Sequence, residues 1–447
     1  LVAGALRLDA FGLAATLIAC AAAAVTVVLS IREPAAEEAG HGAFNSLLLG
    51  SVLGMTLIAQ AQNLIAFFVA LELLSIPLYV LCASARRQEQ SLESGLKYLV
   101  IGSIGSATVL YGFALLYGAS GSTDFSGIAQ ALGPGGNGND TLVLIGTAMV
   151  ATGLAFKTSV APFHQWTPDV YQGAPTPITS FMAVATKTAA FIALARLFEV
   201  ALGPIAHDWK PALAALAVVS IVVGNVGALG QDSLKRLMGY SGIAQAGYML
   251  AGIVVATEKG LEALVFYLAA YTLMNLAVFA VIVARERESG RADDIDAVAG
   301  IGRSKPLLAW PLTIGMLALA GVPGTSGFMG KVFLIEASVD GDYTWLGVAI
   351  VIGTMVSLVY YFRVIAAVWM RPEPGAAPAE PMPAIAGASP EADATTAPRG
   401  SIRGASRCGL VVGAALICGA ATIVFGVAPS PLIDWASHAA GSLATTL

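Results

Sequence analysis

The chain has 447 residues, 57% hydrophobic and only 11% charged, with a mean hydropathy of +0.78 and a formal net charge of −5. Apolar runs of about twenty residues, long enough to cross a bilayer as helices, recur from end to end and exclude a soluble domain of ordinary size between them. The net charge is too small to define a partner, and no nucleic-acid contact is expected.

In chain order, apolar windows between charged or Pro/Gly breaks predict spans at roughly 9–31, 43–61, 63–84, 93–119, 141–171, 176–201, 210–230, 236–256, 260–284, 306–339, 343–371 and 408–428. Two of these twelve, 141–171 and 306–339, exceed one straight crossing and contain Pro162 and Gly321-Val322-Pro323-Gly324. Charge decides whether they count once or twice, because Lys and Arg in short loops collect on the cytoplasmic side. With both read as single broken spans, fourteen cations fall on one side, and only Arg7, Lys210 and Lys259 on the other. Both termini then face away from the cytoplasm. Residues 372–407, with seven of the 21 prolines, read as a flexible cytoplasmic linker, and 408–447 as the C-terminal span region. The chain begins at Leu1 without a basic n-region or cleavage site, so its start reads as trimmed or incomplete.

Segments starting at 43, 93, 141 and 176 recur at 210, 260, 308 and 343, each 167 residues later. The fold expected is therefore all-α and polytopic: an N-terminal span region at 1–42, then two five-helix units, 43–202 and 203–371. Five is odd, so the second unit is inverted, and each unit holds one broken helix. Freed backbone groups are tolerated inside a membrane only against protein or water, which makes the breaks the pointers to an intramembrane site. The offset also sets His164 against Lys331, placing a titratable nitrogen near each break.

Six cations remain inside the spans: Lys97, Lys157, Lys187, Arg196, Lys331 and Arg363. Arg196 and Arg363 lie near span ends, where they can snorkel. Lys157, Lys187 and Lys331 lie deeper, at a cost of roughly 2.5–3.5 kcal/mol each. Glu72 falls near a span's middle and is the expected counter-ion of a deep lysine, Lys157 first. A desolvated lysine can approach neutrality while an arginine stays charged, so a Glu/Lys pair is a switchable proton holder. Plainer readings stand beside these. Glu72 with Lys157 can be a static clamp, Glu93 and Lys97 a simple i,i+4 pair, and Lys235 and Arg236 ordinary positive-inside residues. His164 can hydrogen-bond loose carbonyls at the break, Glu336 can partner Lys331, and Asp169 can tether the second half of its helix. Cys20, Cys82, Cys408 and Cys418 show no ligand spacing and read as small apolar residues. No metal site, nucleotide fingerprint or redox centre is visible in this chain.

The stretch "FKTSVAPFHQWTPDVYQGAPTPITSF" closely resembles the signature of the antiporter-like subunit N of bacterial NADH:quinone oxidoreductase, respiratory complex I. "LELLSIPLYVL", "RRQEQSLESGLKYLV", "KRLMGYSGIAQAGYM" and "LALAGVPGTSGFMGKVFLI" match the same family in the same order, over nearly the whole chain. The resemblance implies a multi-pass subunit of the bacterial cell membrane that translocates protons beside other complex I membrane subunits, including neighbouring antiporter-like ones. NADH, FMN, iron–sulfur clusters and quinone are then used in other subunits. By motif, Glu72 looks like the family's glutamate on its fifth helix. Lys157 looks like the lysine of the first broken helix, Lys187 the connecting lysine on the next, and Lys331 the lysine of the second broken helix. Lys97 matches a further lysine near the cytoplasmic face, and His164 is a possible relay member. Three departures are visible. "LRLDAFGLAATLI" looks like the family's third helix, so two N-terminal spans are missing from the sequence; the proline-rich linker is long; and related subunits often carry a histidine where Gln245 stands. A sodium/proton antiporter subunit, or a structural spacer between pump subunits, is the alternative function.

Overall fold

A computed structural model describes residues 4–134, 140–289, 293–373 and 409–444. Nearly all of the described secondary structure is helical: α1 (Ala10–Ser30), α2 (Pro34–Ala39), α3 (His41–Ala59), α4 (Leu64–Cys82), α5 (Glu89–Ser120), α6 (Phe125–Leu132), α7 (Asp140–Thr158), α8 (Trp166–Gly173), α9 (Thr176–Phe181), α10 (Lys187–Arg196), α11 (Ala206–Leu229), α12 (Leu234–Val255), α13 (Glu258–Ser289), α14 (Ile301–Ser304), α15 (Pro306–Ala320), α16 (Ser326–Asp340), α17 (Thr344–Met370), α18 (Gly409–Val427) and α19 (Ser430–Ala444). Among the described residues, eleven helical segments are long and apolar enough to cross a membrane, and Pro306–Ala320 is a shorter apolar helix that leads into a break. All twelve expected spans are thus met by helix, within a few residues at their ends.

Side-chain caps fix several starts by satisfying backbone N–H groups that the helix itself leaves free. Asp9 accepts from Gly12 N at 2.8 Å, and Asn63 from Ile65 N at 2.8 Å. Asn63 also forms an isolated bridge to Asp124, and a second bridge, Ser233 to Asp294, has both of its residues 170 positions after those of the first. Helices α5 and α13 both have 32 residues.

The bundle has a centre and a rim. The Thr176–Ala201 span is buried throughout its most apolar window, and α12 and α13 are buried over 94% and 89% of theirs. The other spans have only 28% to 56% of theirs buried. With no hydrophobic force between helices in lipid, close approach through small residues does the packing. A Cβ on Gly54 of α3 would lie 2.2 Å from Leu74 N of α4, so only glycine permits that contact, which Ser51 Oγ reinforces by donating to Leu74 O at 2.8 Å.

Several expectations need correction. Arg196 does not snorkel. It is 1% exposed and donates to both carboxylate oxygens of Asp9, at 2.8 and 2.6 Å, and to Ala59 O, because a polar partner on α1 lies within reach where water does not. Lys235 is no ordinary loop cation; it is 5% exposed and donates to Ala174 O at 2.8 Å. Glu336 turns outward to Lys259, at 3.9 Å, away from Lys331. The C-terminal region is two elements, the span α18 and then α19, docked where Phe11 N donates to Ser442 Oγ at 2.9 Å. The proline-rich linker and Cys408 lie outside the described residues.

Candidate functional site

Both long segments are broken, and proline sets the break in each. A helical carbonyl takes its bond from the N–H four residues on. For Thr158 that residue is Pro162, and for Leu319 it is Pro323, neither of which has an N–H. Helix α7 accordingly ends at Thr158 and resumes as α8 at Trp166, while α15 ends at Ala320 and resumes as α16 at Ser326. Around the first break the indole of Trp166 donates to Phe156 O at 3.0 Å, Thr167 Oγ1 to Ser159 Oγ at 2.8 Å, and Ala161 N to Ser220 Oγ at 2.9 Å. Two of these bonds satisfy backbone groups at the break, Phe156 O and Ala161 N.

Lys157, in the last turn of α7, donates to Ser75 Oγ at 2.7 Å and Tyr98 Oη at 3.2 Å. Its ammonium lies 5.2 Å from the Tyr98 ring centroid and 5.8 Å from that of Tyr79. Desolvated cation–π contacts of this kind contribute about 2 kcal/mol or more at best. Beside it is a cavity of about 20 Å³, lined by Lys157, Tyr98, Ser106 and Trp166 among others, enough for one water. The expected direct pair with Glu72 is not formed. Glu72 stands one helical turn before Ser75 on α4, and its Oε1 is buried without a hydrogen-bond partner among the described residues. Lys157 has turned to the serine instead.

Lys187 follows a π-helical turn, Met182–Thr186, which rotates the chain after it relative to a regular helix. The ammonium donates to Gly242 O and lies 5.9 Å from the Tyr271 ring. A Cβ at Gly242 would come within 2.8 Å of it, so the bare glycine is what admits the lysine. Lys331, in the second turn of α16, donates at 2.8 Å to Leu319 O, the carbonyl that Pro323 leaves without its helical donor, and lies 5.2 Å from the Tyr248 ring. It is 3% exposed and Lys187 is 1% exposed.

The structure joins Lys187 and Lys331 through α12. Gly242 holds the first lysine, and Tyr248 lies against the second. Between them Gln245 is hydrogen-bonded to Tyr267, Tyr361 and Leu319 O. Among the described residues, no hydrogen bond connects the Lys157 cluster to this set. Lys97 lies at the edge of the bundle, paired with Glu93 at 2.7 Å and with Asp169 at 3.0 Å; Asp169 also takes Arg236 at 2.6 Å, tethering α8 to α5 and α12. His164 lies within the first break, with its Nδ1 buried and unpartnered among the described residues, whereas Lys331 sits on a helix after the second break. The fixed offset therefore does not make them equivalents.

The tyrosines around the lysines, and the buried Lys235, were missed from sequence. The signal available was the helical spacing of Ser241, Gln245 and Tyr248, which puts them on one face of α12.

Comparison with known proteins identifies the family. The family model described as NADH:quinone oxidoreductase/Mrp antiporter, TM, matches residues 61–357. NADH-quinone oxidoreductase subunit N of Trichlorobacter lovleyi is 41% identical over 365 residues, covering 82% of this chain and 75% of the relative. The protein of that name from Rhodococcus opacus is 40% identical over 410 residues, covering 92% and 71%. Among solved structures, a chain of respiratory complex I from Thermus thermophilus aligns with TM-score 0.75 and 33% identity, covering 96% of this chain and 86% of that one. A chain of the Mrp complex from Dietzia sp. shares the fold, with TM-score 0.82 at 22% identity, covering 99% and 85%. With the matched model spanning more than half of its residues, this membrane-spanning chain belongs to the NADH:quinone oxidoreductase/Mrp antiporter transmembrane family.

Proposed function

We propose that the chain is the antiporter-like, proton-translocating subunit N of a bacterial NADH:quinone oxidoreductase. On this reading it sits in the cell membrane with both termini away from the cytoplasm, beside other antiporter-like subunits, and NADH, FMN, iron–sulfur clusters and quinone are handled elsewhere in the complex. Residues 43–202 and 203–371 are its two five-helix units, the second inverted. The recurrence of the two bridges at one spacing and the equal lengths of α5 and α13 support that division.

One observation carries the reading. Lys187 and Lys331 are buried and Lys157 is half-buried; their described hydrogen-bond partners are hydroxyls and backbone carbonyls, and none of them stands in an ion pair among the described residues. Neutral partners suit an amine that alternates between charged and uncharged forms, because no carboxylate holds the proton in place. Glu72 is the switch. Redox-driven movement elsewhere in the complex brings the Lys157 ammonium from Ser75 toward the carboxylate one turn away, and withdrawal lets the lysine give its proton up. The proton then passes by Lys187 to Lys331, with bound water bridging the gaps and Lys97 and His164 as further relay members. Each charge crossing costs about 2.3 kcal/mol per 100 mV, and a lysine pKa change of a few units, at about 1.4 kcal/mol each, is of that size.

The test is proton pumping by the assembled complex in proteoliposomes. Lys157→Ala and Glu72→Ala should each sharply lower the protons moved per quinone reduced. Full pumping by both variants, or a sodium-dependent pH gradient in vesicles holding this chain without redox partners, would overturn the assignment.

A further inference from the structure

We propose that Gln245 is the gate between the Lys187 and Lys331 stations, its amide occupying the place that water must take for a proton to cross. The inference rests on the transport reading above.

Gln245 is fully buried on α12. Tyr267 Oη, from α13, donates to its Oε1, which fixes the amide's orientation. Its Nε2 donates to Leu319 O at 3.3 Å, at the end of α15, and to Tyr361 Oη at 3.3 Å, on α17. Either side of the amide leads to a lysine. Tyr361 Oη is 2.5 Å from Ser241 Oγ, and the residue after that serine supplies the carbonyl that holds Lys187. Leu319 O holds Lys331 at 2.8 Å. Hydrogen bonds therefore run from Ser241 through this amide to Lys331, and Ser241 adjoins the Lys187 end through its peptide bond to Gly242.

The groups flanking it differ in what they can do. A hydroxyl takes a proton on its lone pair as it releases its own, so Ser241 and Tyr361 can pass one along and finish unchanged. A neutral amide nitrogen has no lone pair free for this, and its two bonds lie at the long edge of the usual N–H···O range. In place, Gln245 blocks the crossing while being held only loosely on its donor side. Once it swings out, Tyr267 Oη, Tyr361 Oη and Leu319 O face the vacated position, and two to four polar partners are what a buried water needs. Water there accepts the Tyr361 proton while releasing one of its own to the neutral amine of Lys331. Tyr361 is reprotonated from Ser241, and the serine from the Lys187 side, so one proton has moved and each intermediate carrier is restored.

The experiment is passive proton leak through the assembled complex in proteoliposomes, with turnover blocked by a quinone-site inhibitor, after an imposed pH step. Gln245→Ala, which leaves room for water, should raise the leak at least threefold and lower the protons moved per quinone reduced. Gln245→Leu, which fills the space with an apolar side chain, should stay as tight as the parent yet pump poorly. Should the alanine variant not assemble, Gln245→Asn, whose amide is one methylene short of its partners, is expected to leak likewise. An assembled alanine or asparagine variant no leakier than the parent overturns the gate. If Lys187→Ala and Lys331→Ala nonetheless lower pumping, the gate alone has failed; if those variants pump fully, the transport reading has failed.

Discussion

Lys331 and Gln245 donate to a single backbone carbonyl, that of Leu319, at 2.8 and 3.3 Å. The carbonyl is available because residue 323, which would have been its helical donor, is proline. A defect in backbone bonding thus becomes the common acceptor for a buried amine and a buried amide.

Gly242→Ala tests the seat of Lys187. The added Cβ would lie 2.8 Å from the ammonium and 3.2 Å from Tyr271 Oη, and the flexible lysine would yield first. A charged hydrogen bond of about 1.5–3 kcal/mol is then lost. The complex is expected to assemble with its thermal midpoint lowered by a few degrees, while protons pumped per quinone reduced fall by half or more.

Asp9 and Arg196 form a buried pair, 5% and 1% exposed, that ties α1 to the central span. Removing one partner leaves the other charge stranded, so Asp9→Ala should destabilise the fold by about 3–5 kcal/mol. Replacing both, as Asp9→Leu with Arg196→Met, should recover much of that. Thermal unfolding in detergent reads both values.

Gly54→Ala tests the contact of α3 with α4. Its Cβ would meet backbone, not a movable side chain, at 2.2 Å. Overpacking of this kind costs about 1–3 kcal/mol or more. The expected result is a lowered unfolding temperature and reduced incorporation into the complex.

Glu33 lies outside the spans, against Arg287 at 3.5 Å. Burial raises its carboxyl pKa above 4.5, and Arg287 only partly opposes this. A group whose folded pKa is raised contributes stability fully below the unfolded value and loses it as pH rises through the folded one. The stability of the parent relative to Glu33→Gln should therefore decline as pH rises above about 4.5, then level off. A difference in unfolding temperature that stays flat across that range would refute the assignment.

The spans and their breaks were legible because hydropathy and proline act locally. Pro162 and Pro323 remove the N–H of their own residues whatever the rest of the chain does. The deep lysines were legible for the same reason, as charge inside an apolar run. Their partners were not, since choosing among Glu72, Ser75 and Tyr98 for Lys157 depends on how three helices are turned toward one another. The π turn before Lys187 leaves no mark in composition, yet it alters which way that lysine faces. Arg196 was misjudged because its partner, Asp9, lies 187 residues away and meets it only in the folded bundle.

The contrast between the encased core and the outward-turned rim assigns different surroundings to the spans that carry Lys157, Lys187 and Gln245. Lys187 and Gln245 ride on spans whose apolar windows are buried over 100% and 94%, whereas Lys157 rides on α7, buried over 44%. On the proposed transport reading, a neighbour docking sideways would press on the Lys157 helix directly but act on the helices of Lys187 and Gln245 only through intervening ones. Mechanical input from an adjoining subunit would therefore be felt at the flank before it reaches the hub.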